Sequence, residues 1–264
     1  MTEPPFLSRT DDRNVAWVTL NRPQIHNAFD DVLIAGLAAE FERLGADRSV
    51  RAVVLSGNGK SFSAGGDLNW MKRMAANNRD ENLADAVGLA AMLRNLNELP
   101  KPVIGLVHGA AFGGGVGLVA CCDMVVAARR AVFCLSEVRL GLLPAAISPY
   151  VVRAIGARAA RRYFLTAERF DAEEAYRLGL AHVLCDDAGL AAAGEALLTE
   201  ILAGGPEGQA ATKALIRRVQ SGPIDEAMTT DTARAIADAR ASAEGREGVA
   251  AFLEKRAPVW PEVT

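Results

Sequence analysis

The chain has 264 residues, half of them apolar, and a formal charge of −3 at pH 7. This length allows one sizeable core with a helical annex, and the slightly acidic balance gives no electrostatic basis for binding nucleic acid. No apolar run reaches about 18 residues, so no membrane span is predicted. The first residues also lack the basic and apolar regions of a signal peptide, so a cytoplasmic protein is expected.

The four cysteines show no CxxC spacing, and the adjacent pair suits zinc geometry poorly. We predict that they are small core residues in a reducing compartment and that the protein has no metal site. These residues are Cys121, Cys122, Cys134 and Cys185.

The first quarter of the chain reads as a strand, a helix and a second strand. Strand formers dominate residues 14–20, and Pro23, which has no N–H for a ladder, ends that strand. Asp30 is placed to cap a helix whose apolar positions keep helical spacing up to about Gly45. A second, buried strand is predicted over residues 50–56.

A glycine-bearing turn, residues 57–69, follows that strand, and Asp67 is placed to cap a helix that starts near residue 68. The polar residues 75–80 indicate a mobile loop, and a long helix is predicted over residues 81–99. The large apolar side chains at the start of the capped helix either pack in the core or line a ligand pocket. They belong to Leu68, Trp70, Met71 and Met74.

The most informative stretch begins with an apolar strand, residues 103–107, which leads into three glycines at 113–115. A helix over residues 116–122 and a strand over 123–127 are predicted next. Glycines at a strand-to-helix switch let a ligand approach the backbone. The free N–H groups of a first helical turn can hold an anion, or a carbonyl oxygen that gains negative charge. A simple tight turn is the alternative.

One carboxylate, Glu137, follows among the apolar residues 133–140. Apolar surroundings raise the pKa of a carboxyl group, which suits proton transfer near neutral pH. The alternative is an ordinary glutamate in a loop that faces water.

The remainder of the chain is predicted to be mostly helical. A break is expected at Gly156, and residues 166–171 form a turn whose Asp171 caps a short helix ended by Gly179. His182 is expected to be structural, in a strand over residues 181–184. Beyond it only helices are predicted, over residues 189–202, 206–219, 224–243 and 245–255. Strands that alternate with helices, followed by helices alone, indicate an α/β core with an appended helical region.

Two glycine turns that each follow a strand could together offer two N–H donors to one oxygen. Their motifs resemble the crotonase (enoyl-CoA hydratase/isomerase) superfamily, and the resemblance extends over almost the whole chain. The motifs are Asn21-Arg22-Pro23, Asn27-Ala28, Ser63-Ala64-Gly65-Gly66-Asp67-Leu68, His108-Gly109-Ala110-Ala111-Phe112-Gly113-Gly114-Gly115, Gly141-Leu142-Leu143-Pro144, Glu174-Ala175 and Gly179-Leu180.

The resemblance implies a spiral of β-β-α units over residues 1–202 that binds acyl-CoA thioesters. It also implies a C-terminal helical region, residues 203–264, that packs on neighbouring subunits in a homotrimer, often doubled to a hexamer. No cofactor is expected, since CoA is part of the substrate.

The resemblance further implies that the backbone N–H groups of Gly66 and Gly114 stabilise a thioester enolate. The best-known hydratases carry two glutamates; the second corresponds to Glu137, whereas Gly117 stands where the first would be. Ser136, Ser148 and Tyr150 are near enough in sequence to assist the single carboxylate. The substrate-binding residues implied are His26, Ala28, Ala64, Asp67, Leu68, Trp70, Gly113, Pro144, Phe252 and Lys255, the last two from a neighbouring subunit.

Residues 136–150 and 160–165 are similar to bacterial methylglutaconyl-CoA hydratase-like proteins. They imply syn-type hydration of a 2-enoyl-CoA whose acyl chain ends in a carboxylate, which Arg73, Arg139 or Arg153 could meet. One alternative is an enoyl-CoA isomerase, for which one carboxylate suffices. The other is a non-catalytic acyl-CoA-binding protein.

Overall fold

A computed structural model describes residues 3–220 and 222–260. These residues form nine strands and ten α-helices. The strands are β1 (Phe6–Thr10), β2 (Val15–Leu20), β3 (Ala52–Gly57), β4 (Val103–Val107), β5 (Ala110–Phe112), β6 (Met124–Ala128), β7 (Val132–Cys134), β8 (Phe170–Asp171) and β9 (Val183–Cys185). The helices are α1 (Asp31–Ala46), α2 (Leu68–Ala76), α3 (Arg79–Glu98), α4 (Gly114–Cys121), α5 (Ser148–Thr166), α6 (Ala172–Leu178), α7 (Leu190–Ala203), α8 (Pro206–Val219), α9 (Glu226–Ala241) and α10 (Ala243–Glu254).

The larger sheet has six strands in the order β1-β2-β3-β4-β6-β9. All its neighbours pair in parallel except β1, which is antiparallel to β2. A parallel sheet is covered on both faces. Helices α1, α3 and α4 bury one face, and α7 covers the other with Leu198 and Ile201 against Leu106 and Val126. The predicted α/β class is therefore confirmed.

The smaller sheet has the order β5-β7-β8 and positions the site. Strands β5 and β7 are parallel, with Phe112 opposite Cys134 at their last residues. Because parallel strands end at the same edge, the turn after Phe112 and the turn after Cys134 lie side by side. The first turn carries the glycines at 113–115 and the second carries Glu137.

The capping predictions are confirmed. Asp30 accepts a hydrogen bond from the Leu33 amide, and Asp67 accepts from the amides of Asn69 and Trp70. Asp171 likewise caps α6, and Gly179 ends that helix in the left-handed conformation. Gly156 interrupts α5 with φ 75° and ψ 154°, so the predicted break is present.

Two loop predictions are wrong. Residues 75–80 are not a mobile loop, because α2 continues to Ala76 and α3 begins at Arg79. Their polar side chains instead form a capping box, in which Asn78 accepts from the Glu81 amide and Glu81 accepts from the Asn78 amide. The stretch 166–171 is not only a turn, since its last two residues form β8, where Phe170 pairs with Phe133 and stacks on its ring.

Besides β8, three strands were not predicted from the sequence: β1, β5 and β7. Strand β1 is mostly exposed, so no apolar alternation marks it. Strands β5 and β7 have only three residues each, which is too short for a periodic pattern.

The cysteine prediction is confirmed for the core positions. Cys121, Cys122 and Cys134 are buried and Cys185 is partly buried, and all four are free thiols. Burial raises the pKa of the Cys122 thiol. His182 is structural as predicted: its Nδ1 accepts from the Val125 amide at 3.0 Å, although it lies just before the strand.

The C-terminal helices attach to the core through a partly buried ion pair. Lys213 Nζ donates to the Asp123 carboxylate at 2.6 Å and to the Lys101 carbonyl at 3.0 Å. Helices α8, α9 and α10 otherwise pack mainly on one another. The division into residues 1–202 and 203–264 stays a prediction, and the ends of these ranges, residues 1–2 and 261–264, lie outside the described residues. Within the described part of the chain, no helix is long and apolar enough to cross a membrane.

Candidate active site

The first glycine turn is held between two other segments. Its Ser63 forms an isolated bridge with Ala111 of β5, and Gly66 forms one with Phe29. The Phe29 amide donates to the Gly65 carbonyl, and the Asp67 amide donates to the Phe29 carbonyl, both at 2.7 Å. The turn therefore has a fixed backbone on each side of Gly66.

Asn27 is the side chain that joins these segments, and it is completely buried. Its amide nitrogen donates to three carbonyl oxygens, those of Asn58, Ser61 and Phe62, at 2.9 to 3.1 Å. Its side-chain oxygen accepts from the Arg22 amide at 2.8 Å. Four backbone groups thus depend on one buried amide.

We expect Asn27→Ala to lower the free energy of unfolding by about 1–3 kcal/mol, because it leaves buried polar groups without partners. Its φ of 54° adds strain, since alanine tolerates the left-handed region less well than asparagine. Urea unfolding provides the measurement. Asn58→Ala is the control: its exposed side chain bonds Asn21, so a change within about 0.5 kcal/mol is expected. Equal losses in the two variants would contradict a special role for Asn27.

The second glycine turn follows β5. Gly113 has φ 51° and ψ −117°, a conformation that other residues rarely adopt, and its amide donates to the Cys134 carbonyl at 2.9 Å. Helix α4 begins at the next residue, Gly114. The chain therefore passes from β5 into the first turn of α4 within one residue, Gly113.

The two turns and the carboxylate meet at Gly113. A Cβ placed on Gly113 would lie 3.3 Å from Glu137 Oε1 and 4.0 Å from the Cα of Gly65. These three residues come from three different loops. The structure therefore brings together the residues that the sequence predicted for the oxyanion site and for proton transfer.

The two predicted donors are available to a ligand. Within the described residues, neither the amide of Gly66 nor that of Gly114 donates a hydrogen bond to another backbone group. Neighbouring amides do: those of Gly113 and Asp67 are both engaged. Gly66 is exposed and Gly114 is partly buried. Gly114 is also the first residue of α4, where the amide has no partner within the helix. Both amides can therefore donate to an external acceptor beside the carboxylate.

Glu137 begins a short 3₁₀ helix, Glu137–Leu140, just beyond β7. Its Oε2 atom is buried and has no hydrogen-bond partner among the described residues. Burial raises the pKa of Glu137 above its ordinary value, as the sequence predicted. The carboxylate is half-buried, and its Oε2 oxygen is available to receive and return a proton.

Trp70, on α2, borders the same site. A Cβ on Gly66 would lie 3.6 Å from Trp70 Cε3, so the indole packs against this glycine. The side chain is 8% exposed, and its Nε1–H has no acceptor within the described chain. A buried donor without a partner thus belongs to a side chain that packs on Gly66.

The other residues predicted to bind the substrate differ in exposure. His26 lies on the surface with its ring bonded to Ser61, whereas Ala28 is buried and its carbonyl accepts from Arg22. The Ala64 amide donates to the His26 carbonyl, which ties the predicted CoA-binding loop to the first turn. Leu68 is 74% exposed, so this side chain is not part of the core, while Pro144 is buried.

Phe252 and Lys255 lie on and just after α10, which packs mainly on α8 and α9. Phe252 is 82% exposed. The structure does not bring either residue to the glycine turns of the same chain, and their predicted contribution to a neighbouring subunit stays a prediction.

The arginines proposed for an acyl carboxylate differ in availability. Arg73 pairs with Asp31, and both side chains are largely exposed. Arg153 and Arg139 are exposed, and Arg139 lies two residues after Glu137. Of the hydroxyl groups considered as assistants, Ser148 is engaged with the Ala145 carbonyl at 2.8 Å.

Sequence reasoning missed Arg22, Asn27 and Phe29 as site-building residues. Arg22 pairs with Asp30, donates to the Ala28 carbonyl and lies 3.7 Å from Asp67, so it links the caps of α1 and α2. Phe29 packs on Gly114, since a Cβ there would be 2.9 Å from its ring. Arg22 and Asn27 lie in motifs that the sequence analysis quoted. The resemblance implies a backbone contact of Asn27 with CoA, but the bonds of its side chain were not predicted.

Two open backbone donors, a facing carboxylate and a two-sheet α/β fold define a crotonase-type enzyme site. A solved enoyl-CoA hydratase from Shewanella pealeana is similar, with 46% sequence identity, a TM-score of 0.94, and coverage of 97% of this chain and 96% of that one. The 2,3-dehydroadipyl-CoA hydratase of Escherichia coli is 34% identical over 251 residues, 93% of this chain and 94% of its own. The 1,2-epoxyphenylacetyl-CoA isomerase of E. coli is 32% identical over 265 residues, 96% and 97% of the two chains.

The family model for enoyl-CoA hydratase/isomerase matches residues 10–263. The chain belongs to this family, and thus to the crotonase superfamily that its motifs resemble.

Proposed function

We propose that the protein is an enoyl-CoA hydratase that adds water reversibly across the double bond of a 2-enoyl-CoA. The observation that carries this proposal is the meeting of Glu137 with the two glycine turns around Gly113. Relatives named as hydratases support the same reaction.

In the proposed reaction the thioester oxygen accepts hydrogen bonds from the amides of Gly66 and Gly114. The carboxylate of Glu137 takes a proton from water while the water oxygen bonds to the β-carbon. The electron pair of the double bond moves to the thioester oxygen as an enolate, which the two amides stabilise. Glu137 then returns its proton to the α-carbon, so one water is added and the carboxylate is regenerated.

The raised pKa of Glu137 fits this cycle. A carboxylate that must both accept and return a proton works best when its pKa is near the working pH, and burial moves the pKa in that direction. The missing partner of Oε2 leaves that oxygen for the water.

For the acyl group we propose a carboxylated chain of the 3-methylglutaconyl type. A relative named as a 2,3-dehydroadipyl-CoA hydratase supports an acyl chain that ends in a carboxylate. Arg139, exposed and in the same 3₁₀ helix as Glu137, is the cation nearest in sequence to the acid–base group. We also propose that the active form is a homotrimer or hexamer in the cytoplasm and needs no cofactor.

The buried indole N–H of Trp70 provides a prediction. We expect Trp70→Phe to keep the aromatic packing but to lower kcat/KM for the preferred acyl-CoA by about 10-fold or more, because a bound polar group would lose its donor. A Tm close to that of the wild type shows that the fold is intact. Equal kcat/KM in the two proteins would mean that the N–H is an unused core group.

The test of the function is turnover in H₂¹⁸O with a panel that includes crotonyl-CoA, 3-methylglutaconyl-CoA and a 3-enoyl-CoA. Incorporation of ¹⁸O into a 3-hydroxyacyl product is the expected result. Faster turnover of crotonyl-CoA than of 3-methylglutaconyl-CoA would contradict the carboxylated substrate but not the hydration.

An isomerase that moves a double bond is the second candidate, and Gly117 is the observation that favours it. With one carboxylate, the site can shuttle a proton between two carbons without water. Conversion of the 3-enoyl-CoA without ¹⁸O incorporation would establish this alternative.

A further inference from the structure

The space beside Gly117 is filled, not empty. A Cβ on Gly117 would lie 2.3 Å from Ile147 Cγ2 and 3.0 Å from Ile147 Cβ. It would also lie 3.4 Å from Leu93 Cδ2. A separation of 2.3 Å is far inside the ordinary contact distance of about 3.5–4.0 Å. No side chain fits at position 117 while Ile147 keeps its place.

Ile147 is not a flexible surface group that could move aside. It is 2% exposed and precedes α5, at the end of the loop that runs from the Glu137 turn. Gly117 is buried in α4, one turn beyond the Gly114 donor. Ile147 therefore packs from the carboxylate's own loop against the helix that carries the oxyanion donor.

We propose that Ile147 is the specificity-determining residue that restricts this site to a single carboxylate. The inference rests on the proposed function and deepens it. The absence of a side chain at Gly117 is matched by an isoleucine 30 positions later that fills the space, so the two positions pack as one unit. A carboxylate at position 117 requires a small residue at position 147.

The consequence for the chemistry is that the site has only one carboxylate for acid–base catalysis. With Ile147 packed against Gly117, the site has no second carboxylate that could share the proton transfer with Glu137. Positioned acid–base groups each contribute about 10²–10⁴-fold to rate. Hydration of a simple, unactivated enoyl-CoA should therefore be slow in this site.

The packing is tested by a double-mutant cycle of Gly117→Ala and Ile147→Ala read as Tm. Alanine normally stabilises a helix relative to glycine, so a fall in Tm of several degrees for Gly117→Ala would be evidence of the clash. The Tm of the double variant should be well above the value expected if the two single losses added up. Gly88→Ala in α3, whose Cβ would meet only Ile34 at 4.0 Å, is the matched control and should not lower Tm.

The chemistry is tested by Gly117→Glu with and without Ile147→Gly. The single variant should unfold at a lower temperature than the wild type. The double variant should recover most of that loss and hydrate crotonyl-CoA at least 10-fold faster than Ile147→Gly alone, with ¹⁸O in the product. A second ionisation should also appear in its pH–rate profile.

Three results would overturn the proposal: a Gly117→Ala protein as stable as the wild type, additive losses in the cycle, or a folded Gly117→Glu/Ile147→Gly enzyme with an unchanged rate and pH profile. Failure of the proposed function can be distinguished from failure of this inference about Ile147. A wild-type protein that incorporates no ¹⁸O from any substrate would refute hydration while the Tm cycle still reports on the packing.

Discussion

Glu137→Gln is expected to reduce turnover of every enoyl-CoA substrate by about 10²–10⁴-fold, because the amide cannot accept and return a proton. Binding of the CoA thioester should change little, since the amides of Gly66 and Gly114 remain. The measurement is single-turnover kinetics in H₂¹⁸O together with calorimetric binding of a saturated acyl-CoA. A variant that keeps more than a tenth of the wild-type rate would remove Glu137 from the mechanism.

The same substitution should make the protein more stable near neutral pH. The folded-state pKa of Glu137 is raised by burial, so the folded protein binds this proton more tightly than the unfolded chain does. Stability is then lost as pH rises from the unfolded pKa, 4.5, through the raised folded pKa. Above that window Glu137 is ionised while half-buried, and glutamine removes the cost of this buried charge.

Thermal unfolding as a function of pH checks the stability effect. Glu137→Gln should raise Tm above the window and leave Tm unchanged well below it. The control is Glu42→Gln, an exposed position on α1 whose substitution should change neither Tm nor rate. In the wild type, kcat/KM should fall as pH drops through the raised pKa, because the mechanism starts from the carboxylate. A lower Tm for Glu137→Gln above the window would show that the carboxylate is stabilised by a partner.

Local chemistry explains why much of the fold was predictable. Asp30, Asp67 and Asp171 cap helices through side chains that act within three residues, so their roles can be read from a short window. Gly156 and Gly179 act in the same way through their backbone. The glycines at 113–115 likewise form a local signal, and they predicted the turn that carries the Gly114 amide.

What the sequence could not show is how those turns meet. Strands β5 and β7 are too short to be marked by a pattern, yet their parallel pairing sets Gly113 beside Glu137. Asn27 bonds carbonyls 31 to 35 residues away, and no local signal points to such partners. The fit of Ile147 against Gly117 is of the same kind, since only the packed structure shows that these two positions are in contact.

The conformation of Gly113 leads to the other prediction with a large effect. Its φ of 51° and ψ of −117° set the orientation of the Gly114 amide, and alanine there is strained. The new Cβ would also lie 3.3 Å from Glu137 Oε1. We expect Gly113→Ala to lower kcat by about 10²–10³-fold, comparable to the loss of one oxyanion donor.

Gly66→Ala is the matched control, because it changes a glycine at the other donor without backbone strain. Its Cβ would meet the flexible Met71 side chain at 3.3 Å, and the residue does not have a positive φ. Since the amide itself is retained, we expect a rate within a few-fold of the wild type. Rates are compared per folded enzyme, as counted by calorimetric acyl-CoA binding. If Gly113→Ala were as active as Gly66→Ala, the direction of the Gly114 amide would not matter to the rate, and stabilisation of the thioester oxygen would have to come from another group.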